Sequence, residues 1–423
     1  MMTMRKYTSI AAIISILVLC QGCRESMGQL TDRVMERAAS QFLLADARLA
    51  CDSLPKTFEN GKCIDSDIQW WCSGFFPGSL WYVYEYSGNE RIREVAVKNT
   101  LKLESIMEYP IHHDIGFQIN CSYGNAYRIT GDPAWKPMME KSAERLADRF
   151  SPTVGCTRSW NSDRFRYPVI IDNMMNLEHL LNCGKIFDRN KFTEVARIHA
   201  NTTMKNHFRP DYSCWHLVDY DPATGKVDHK QTVQGFADDS AWSRGQAWAL
   251  YGYTMMYERT GVEEFLQQAE KVAGYILPRL CADGIPYWDF NAPGTPEALS
   301  PDSPGASRAI NELAAYSKDK SLTHSTGNGD TVLRDASAAA VMASGFITLS
   351  KVTRKRSLAR QCRAVAKKQL RTLASDEYMA QLGENGGFLL KHSVGSLPGG
   401  TEVDVPVSYA DYYFLEALLK LSR

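Results

Sequence analysis

The chain has 423 residues, 44% of them hydrophobic, an ordinary share for a globular protein. Lys plus Arg and Asp plus Glu both number 48, so the formal charge is zero. No long basic run stands out, which argues against nucleic acid as a partner.

At the N-terminus, Arg5 and Lys6 precede TSIAAIISILVL, a 12-residue apolar run. It is too short to span a bilayer comfortably but suits the core of a signal peptide. LCQGC follows, and Gly22-Cys23 resembles a bacterial lipoprotein cleavage site, with Cys20 where an aliphatic residue is usual. Residues 1–22 are therefore expected to be a signal peptide and Cys23 the lipid-bearing first residue. The protein would then be periplasmic or outer-membrane-associated, with plain secretion as the alternative. No second apolar run reaches ~18 residues, so a transmembrane helix is not expected. Residues 24–423 read as one domain. Nine further cysteines are scattered without a C-x-x-C pair, so a metal site is not expected. Cys51, Cys63 and Cys72 lie close enough in sequence to allow a bridge, or are free thiols.

Along the rest of the chain two helical types alternate. GSLWYVYEYSG (78–88), CSYGNAYRITGD (121–132), NLEHLLNCGKIFD (176–188), AWALYGYTMMYERTG (247–261), AAAVMASGFITLSKVT (338–353) and YADYYFLEALLKLS (409–422) are apolar nearly all round, as buried helices are. Amphipathic patterns at about 31–50, 90–108, 133–150, 190–208, 263–281 and 356–374 fall between them. Six helical hairpins predict an all-α fold, an (α/α)6 barrel with an inner ring inside an outer one. A superhelical solenoid is the alternative. Residues 215–233 predict a β-hairpin around Asp221-Pro222-Ala223-Thr224-Gly225. Residues 292–333, rich in Pro, Gly and Ser, read as one long loop insertion.

In such a barrel the inner helices run the same way, and their N-termini share one rim. HHDIGFQIN puts Asp114 at the second of these starts, and IIDNMMNLEHL puts Asp172 at the third. Asp239, Asp335 and Asp411 fall near the fourth, fifth and sixth. Asp is a favoured N-cap residue, and capping is the reading for Asp335 and Asp411. The apolar flanks Ile115-Gly116-Phe117 and Val169-Ile170-Ile171 instead make Asp114 and Asp172 look buried. A buried carboxylate beside another has its pKa raised, although a helix N-terminus favours the anion. One can then donate a proton while the other stays ionised. The same rim collects Trp71, Trp242, Arg244, Gln246 and Trp248, with His216 and Gln234 at the hairpin. Buried Trp is usually core, and Arg244 could neutralise Asp239. Their concentration at one end points rather to a saccharide pocket, with indoles for sugar rings and a guanidinium for a carboxylate.

HHDIGFQINCSYGNAYRITGD, IIDNMMNLEHLL, WHLVDYDPATG and DDSAWSRGQAWALYGY resemble the unsaturated glucuronyl hydrolases, glycoside hydrolase family 88. The likeness runs from WWCSGFFPGSLW to VPVSYADYYFLEALL. It implies an (α/α)6 enzyme without metal or cofactor, acting on oligosaccharides whose terminal uronate carries a C4=C5 double bond. By motif, Asp172 falls on the family's acid/base and Asp114 on its second essential aspartate. Trp71, His216, Gln234, Trp242, Arg244 and Trp248 fall on its substrate-contacting positions. The implied reaction is hydration of the vinyl ether, with Arg244 as partner of the uronate carboxylate. No nucleic-acid partner is expected, and contact with a membrane only through a lipid at Cys23. The parent glycan stays open among chondroitin, hyaluronan, heparin-like and gellan-type fragments. An unsaturated rhamnogalacturonyl hydrolase for pectin fragments is the nearest alternative, and a lipid-anchored glycan-binding protein without turnover is the alternative of another class.

Overall fold

The structure, a computed structural model, describes residues 25–319 and 332–423. The signal peptide, Cys20 and Cys23 lie outside the described residues.

Helix α1 (Met27–Arg48) opens with a capping box, in which Ser26 accepts from the Gln29 backbone and the Gln29 side chain accepts from Ser26. Strands β1 (Leu54–Glu59) and β2 (Lys62–Ser66) pair antiparallel. Helices α2 (Phe75–Ser87) and α3 (Glu90–Leu101) make the next hairpin. The second inner helix is broken into α4 (Ile115–Ile119), a π-helical turn at Asn120–Gly124 and α5 (Asn125–Thr130). It starts before the predicted 121, directly after Asp114. Helix α6 (Lys136–Ala147) follows, then the short strands β3 (Phe150–Ser151), β4 (Cys156–Thr157) and β5 (Pro168–Ile170). Helices α7 (Asn173–Ile186) and α8 (Asn190–Asn206) lead to β6 (Leu217–Tyr220) and β7 (Val227–Gln231), the expected hairpin, which extends β5 into a three-stranded sheet. Helices α9 (Ser243–Thr260) and α10 (Glu263–Ile276) complete the fourth pair.

The segment expected as a loop insertion is not all loop: α11 (Ala306–Asp319) lies within it. No Pro or Gly falls between Gly305 and Gly327, and Ala309, Ile310, Leu313 and Tyr316 recur there at helical spacing, a stripe that composition hid. The Tyr316 hydroxyl reaches Asp404 at 2.8 Å. Residues 320–331 lie outside the described ones. The chain closes with α12 (Ala336–Val352), α13 (Arg356–Leu373), an unpredicted hairpin β8 (Ser393–Ser396) and β9 (Thr401–Val405), and α14 (Ser408–Ser422).

Burial separates the two rings. On α12 every side chain from Ala336 to Leu349 is buried, whereas α13 buries only Cys362, Ala366, Gln369, Leu370 and Leu373. A helix packed on all sides needs apolar or small residues all round, and one packed on a single side needs a stripe. The last inner helix, α14, meets the first, α2, through the Tyr82 and Tyr412 hydroxyls at 2.9 Å. That contact closes the ring and rules out the solenoid. The fold is mostly helical, as predicted, with small sheets at the rims. All nine described cysteines are free, so Cys51, Cys63 and Cys72 form no bridge. No described helix is long and apolar enough to cross a membrane.

Candidate active site

Asp114 and Asp172 immediately precede α4 and α7, yet neither side chain caps its helix. Asp335 shows what a working cap looks like there: its carboxylate accepts from Ser337 N at 2.9 Å and Ala338 N at 3.3 Å. Asp411 departs from the capping expectation. It sits in the first turn of α14 and accepts from Leu389 N and Leu390 N, both at 2.8 Å, holding a crossing loop instead. The two carboxylates of interest are thus spared the local bonding that occupies Asp on a cap.

Their surroundings push them apart. Asp114 Oδ2 lies 3.0 Å from His112 Nδ1, and its Oδ1 lies 3.3 Å from His113 Nε2. Burial alone would raise its pKa, but the histidines and Arg149 outweigh that and hold it below the ordinary value. Burial holds His113 down to about 4, so near neutrality it acts on Asp114 as an N–H donor. Asn176 sets that tautomer. Its Oδ1 accepts the Phe117 N–H at 2.7 Å, so its Nδ2 faces His113 Nδ1 at 3.3 Å and leaves the imidazole proton on Nε2. For His112, burial lowers the pKa, but Asp114 and the Gln69 carbonyl more than reverse it. Asp172 goes the other way. Burial raises it to about 7, Arg244 opposes this, and the Asp114 charge adds to it. Side-chain exposure is 16% for Asp114 and 10% for Asp172, so Asp114 is the more open of the two.

Gly116 lets the two carrying helices approach. A Cβ there would stand 2.4 Å from Asn176 Oδ1 and 2.7 Å from its Cβ. Gly116→Ala is expected to separate α4 from α7 and lower stability by about 1–3 kcal/mol, measured by urea unfolding. A midpoint unchanged from wild type would contradict this close packing.

His216 stands beside Asp172, with Nε2 3.7 Å from Oδ2. Its Nδ1 accepts from Val233 N at 3.1 Å and Gln234 N at 3.2 Å, so its proton is also on Nε2 and points toward the carboxylate. Burial keeps it neutral, with a pKa of about 3. The Trp248 N–H faces Asp172 and draws its pKa down without closing to a hydrogen bond. Asp172 Oδ2, His216 Nε2 and Trp248 Nε1 are therefore three buried polar atoms without a partner. Other buried polar atoms also lack a partner, both ring nitrogens of His207 among them, but these three lie together around one carboxyl. A polar ligand at this place would meet a carboxyl and two N–H donors turned toward it.

One wall is a continuous stack. The His216 ring is 4.6 Å from Trp242, Arg244 lies 4.4 Å over Trp242 and 5.2 Å from Tyr409, and Tyr409 is 4.8 Å from Trp71. Phe117 joins Trp71 to Trp248 at 5.7 and 5.4 Å. All eight predicted site residues thus fall in one region, but not in the postures expected. Trp242 and Trp248 are buried, and of the three indoles only Trp71 is partly exposed. Arg244 is 1% exposed and does not neutralise Asp239, which instead accepts from Trp215. Its Nη1 pairs with Asp335 at 3.1 Å and reaches the Val394 carbonyl, and its Nη2 reaches the Gly395 carbonyl at 2.6 Å. The expected open carboxylate partner is in place a buried strut between α9, α12 and β8. Gln234 Nε2 donates to the same Gly395 carbonyl at 3.0 Å.

Sequence reasoning passed over His112, His113, Asn176 and Tyr409. His112 and His113 stood in the quoted HHD; the others had no local signal. A cavity of about 290 Å³ opens at the far ends of the inner helices. Its Glu416 is satisfied by Tyr82, Tyr251, Ser344 and Lys420, and none of its lining side chains holds an unpartnered buried polar atom. Volume and unmet chemistry thus lie at opposite ends, and the chemistry marks the site. Among the described residues no group of three or more His, Cys, Asp or Glu is placed to hold a metal.

A family model described as Glycosyl Hydrolase Family 88 matches residues 47–281. An unsaturated glucuronyl hydrolase of Formosa agariphila is 40% identical over 353 residues, 82% of this chain and 79% of that protein. The crystal structure of an unsaturated glucuronyl hydrolase specific for heparin superposes with a TM-score of 0.82 at 40% identity, covering 93% of this chain and 97% of that one. A mutant of the Streptococcus agalactiae unsaturated glucuronyl hydrolase, complexed with dGlcA-GalNAc6S, superposes with a TM-score of 0.75 at 25% identity over 95% and 94% of the two chains.

Proposed function

The chain belongs to glycoside hydrolase family 88, and from that premise we propose that it removes the terminal 4,5-unsaturated uronate from lyase-generated, glycosaminoglycan-type oligosaccharides. The observation that carries the reading is a pair of rim carboxylates whose surroundings push their pKa values apart, Asp114 down and Asp172 up to about 7, with the N–H groups of His216 and Trp248 turned toward Asp172. The names of the relatives support the substrate class.

In this reading Asp172 begins as the acid. It gives its proton to C4, and the double-bond electrons move so that positive charge develops at C5, shared with the ring oxygen. Water adds at C5 and its proton returns to Asp172, so one water is consumed and the carboxyl is restored. The resulting hemiketal opens at the bond between C5 and the ring oxygen. C1 is left as a hemiacetal, which collapses to an aldehyde as its bond to the glycosidic oxygen breaks and the neighbouring sugar leaves with the hydroxyl proton. Asp114, kept ionised by the histidines, stabilises the developing positive charge and keeps Asp172 protonated. Trp71, His216, Gln234, Trp242, Arg244 and Trp248 form the substrate pocket, Arg244 through its field and its grip on the β8 strand. Residues 1–22 serve as a lipoprotein signal peptide, with Cys23 lipidated and the enzyme in the periplasm or on the outer membrane.

The test is loss of double-bond absorbance on a panel of lyase-generated disaccharides from sulfated and unsulfated glycosaminoglycans and from pectin. Turnover is expected on the glycosaminoglycan members. Absence of turnover on all of them, with pectin disaccharides consumed, would overturn the substrate class. On a good substrate kcat/KM is expected to fall as pH rises through about 7, because Asp172 loses its proton there. A profile that rises through that range would make Asp172 a base in the free enzyme.

A further inference from the structure

Helix α13 carries a feature the reaction does not use. Residues 354–371 hold eight Lys and Arg and no Asp or Glu, in a chain whose formal charge is zero. Arg356, Arg360, Arg363, Lys367 and Arg371 recur at alternating steps of four and three, closing on a step of four. At 3.6 residues per turn they fall within an arc of about 80°, a stripe about 22 Å long. Arg356, Arg360 and Arg363 are exposed, and Lys367 and Arg371 are half-buried. Just before the helix, Arg354 pairs with Glu263 and Lys355 with Glu270. Arg356, Arg360, Arg363 and Lys367 make no ion pair among the described residues.

The end of the stripe is placed by a second observation. Arg371 Nη1 donates to the Glu25 carbonyl at 2.8 Å, and Arg33 Nη1 reaches the Ala374 carbonyl at 3.3 Å. Glu25 is where the described chain begins, two residues after Cys23. The described chain therefore begins at one end of a straight row of basic side chains, four of which make no ion pair among the described residues. We propose that this row is a contact surface for anionic phospholipid, lying flat on the bilayer from which the N-terminal segment leads. Basic side chains beside an anionic bilayer contribute about 1 kcal/mol each, so such a row adds to attachment by a lipid and fixes which face of the protein meets the membrane. A polyanionic glycan would meet the same charge. However, Arg356–Leu373 has no aromatic residue to stack on a sugar ring, and a straight row on one convex helix suits a plane.

The experiment uses the full chain, wild type and with Arg356→Gln, Arg360→Gln, Arg363→Gln and Lys367→Gln combined. Both carry the same N-terminal segment, so their difference reports the stripe alone. Sedimentation with vesicles of phosphatidylglycerol and phosphatidylcholine in equal parts is expected to give about a thousandfold weaker partitioning for the variant. The gap should shrink at high salt and vanish on pure phosphatidylcholine. Disaccharide turnover should be unchanged, which reports an intact fold. A second variant with Lys at all four positions should partition like wild type. Equal partitioning of wild type and the Gln variant into the anionic vesicles would overturn the proposal. So would a variant that loses only its retention on immobilised heparin, which would assign the stripe to acidic polysaccharide.

Discussion

Asp172→Asn is expected to lower turnover of an unsaturated uronate disaccharide by roughly a thousandfold while making the protein more resistant to unfolding at neutral pH. The first effect follows from the proton: an amide has the shape of the acid but cannot deliver one to C4, and general acid catalysis contributes about 10²–10⁴-fold. The second follows from linkage. Burial lifts the Asp172 carboxyl to about 7 from an ordinary value near 3.9. Between those values the folded state holds a proton that the unfolded state has released, so stability falls as pH rises through the window. At neutral pH the penalty amounts to up to about 4 kcal/mol, and Asn, which has no charge to bury, escapes it. Thermal unfolding measured at pH 5 and at pH 7.5 tests the sign, because the gain of the variant over wild type should be larger at the higher pH. A variant that loses activity and also loses stability equally at both pH values would mean that Asp172 is a structural residue, and the acid assignment would fall with it.

The ring was legible because its cause is local. A helix buried on every side must be apolar on every side, and six such segments separated by one-faced ones leave few ways to pack. The hairpin before Gln234 was legible because Asp221-Pro222 and Gly225 supply turn chemistry in the right order. What escaped was long-range or averaged out. The partners of Arg244 lie 91, 150 and 151 residues away, so nothing near SRGQAW says that its guanidinium is already occupied. Asn176 acts on His113 across 63 residues. The break in the second inner helix is a single extra residue in a turn, too small to disturb a hydrophobic period. Helix α11 was hidden by the Pro and Gly beside it. The basic stripe of α13 was spread through the sequence with apolar residues between, and only the helix gathers it.

Arg244→Ala separates the role expected of that residue from the role its surroundings give it. A clamp for the substrate carboxylate would lose affinity and little else. The buried strut loses far more: Asp335 keeps its cap bonds but loses its counter-ion, the Val394 carbonyl loses the guanidinium donor, and the Gly395 carbonyl keeps only Gln234 Nε2. Removing one partner of a buried pair lowers stability by about 3–5 kcal/mol, so the urea midpoint should fall well below that of wild type. Arg244→Lys should recover only part of this, since one ammonium cannot reach all three acceptors. Arg244 also holds the pKa of Asp172 down. Without it the carboxyl should keep its proton to higher pH, and the alkaline fall of kcat/KM should move upward. Gln234→Ala provides the comparison, because it removes a donor from the same Gly395 carbonyl without removing a charge. It should loosen the β8 strand and leave the alkaline limb where it was. If both substitutions move that limb by the same amount, the effect comes from the strand and not from the charge. If Arg244→Ala raises KM alone, with stability intact, the guanidinium is a substrate clamp after all.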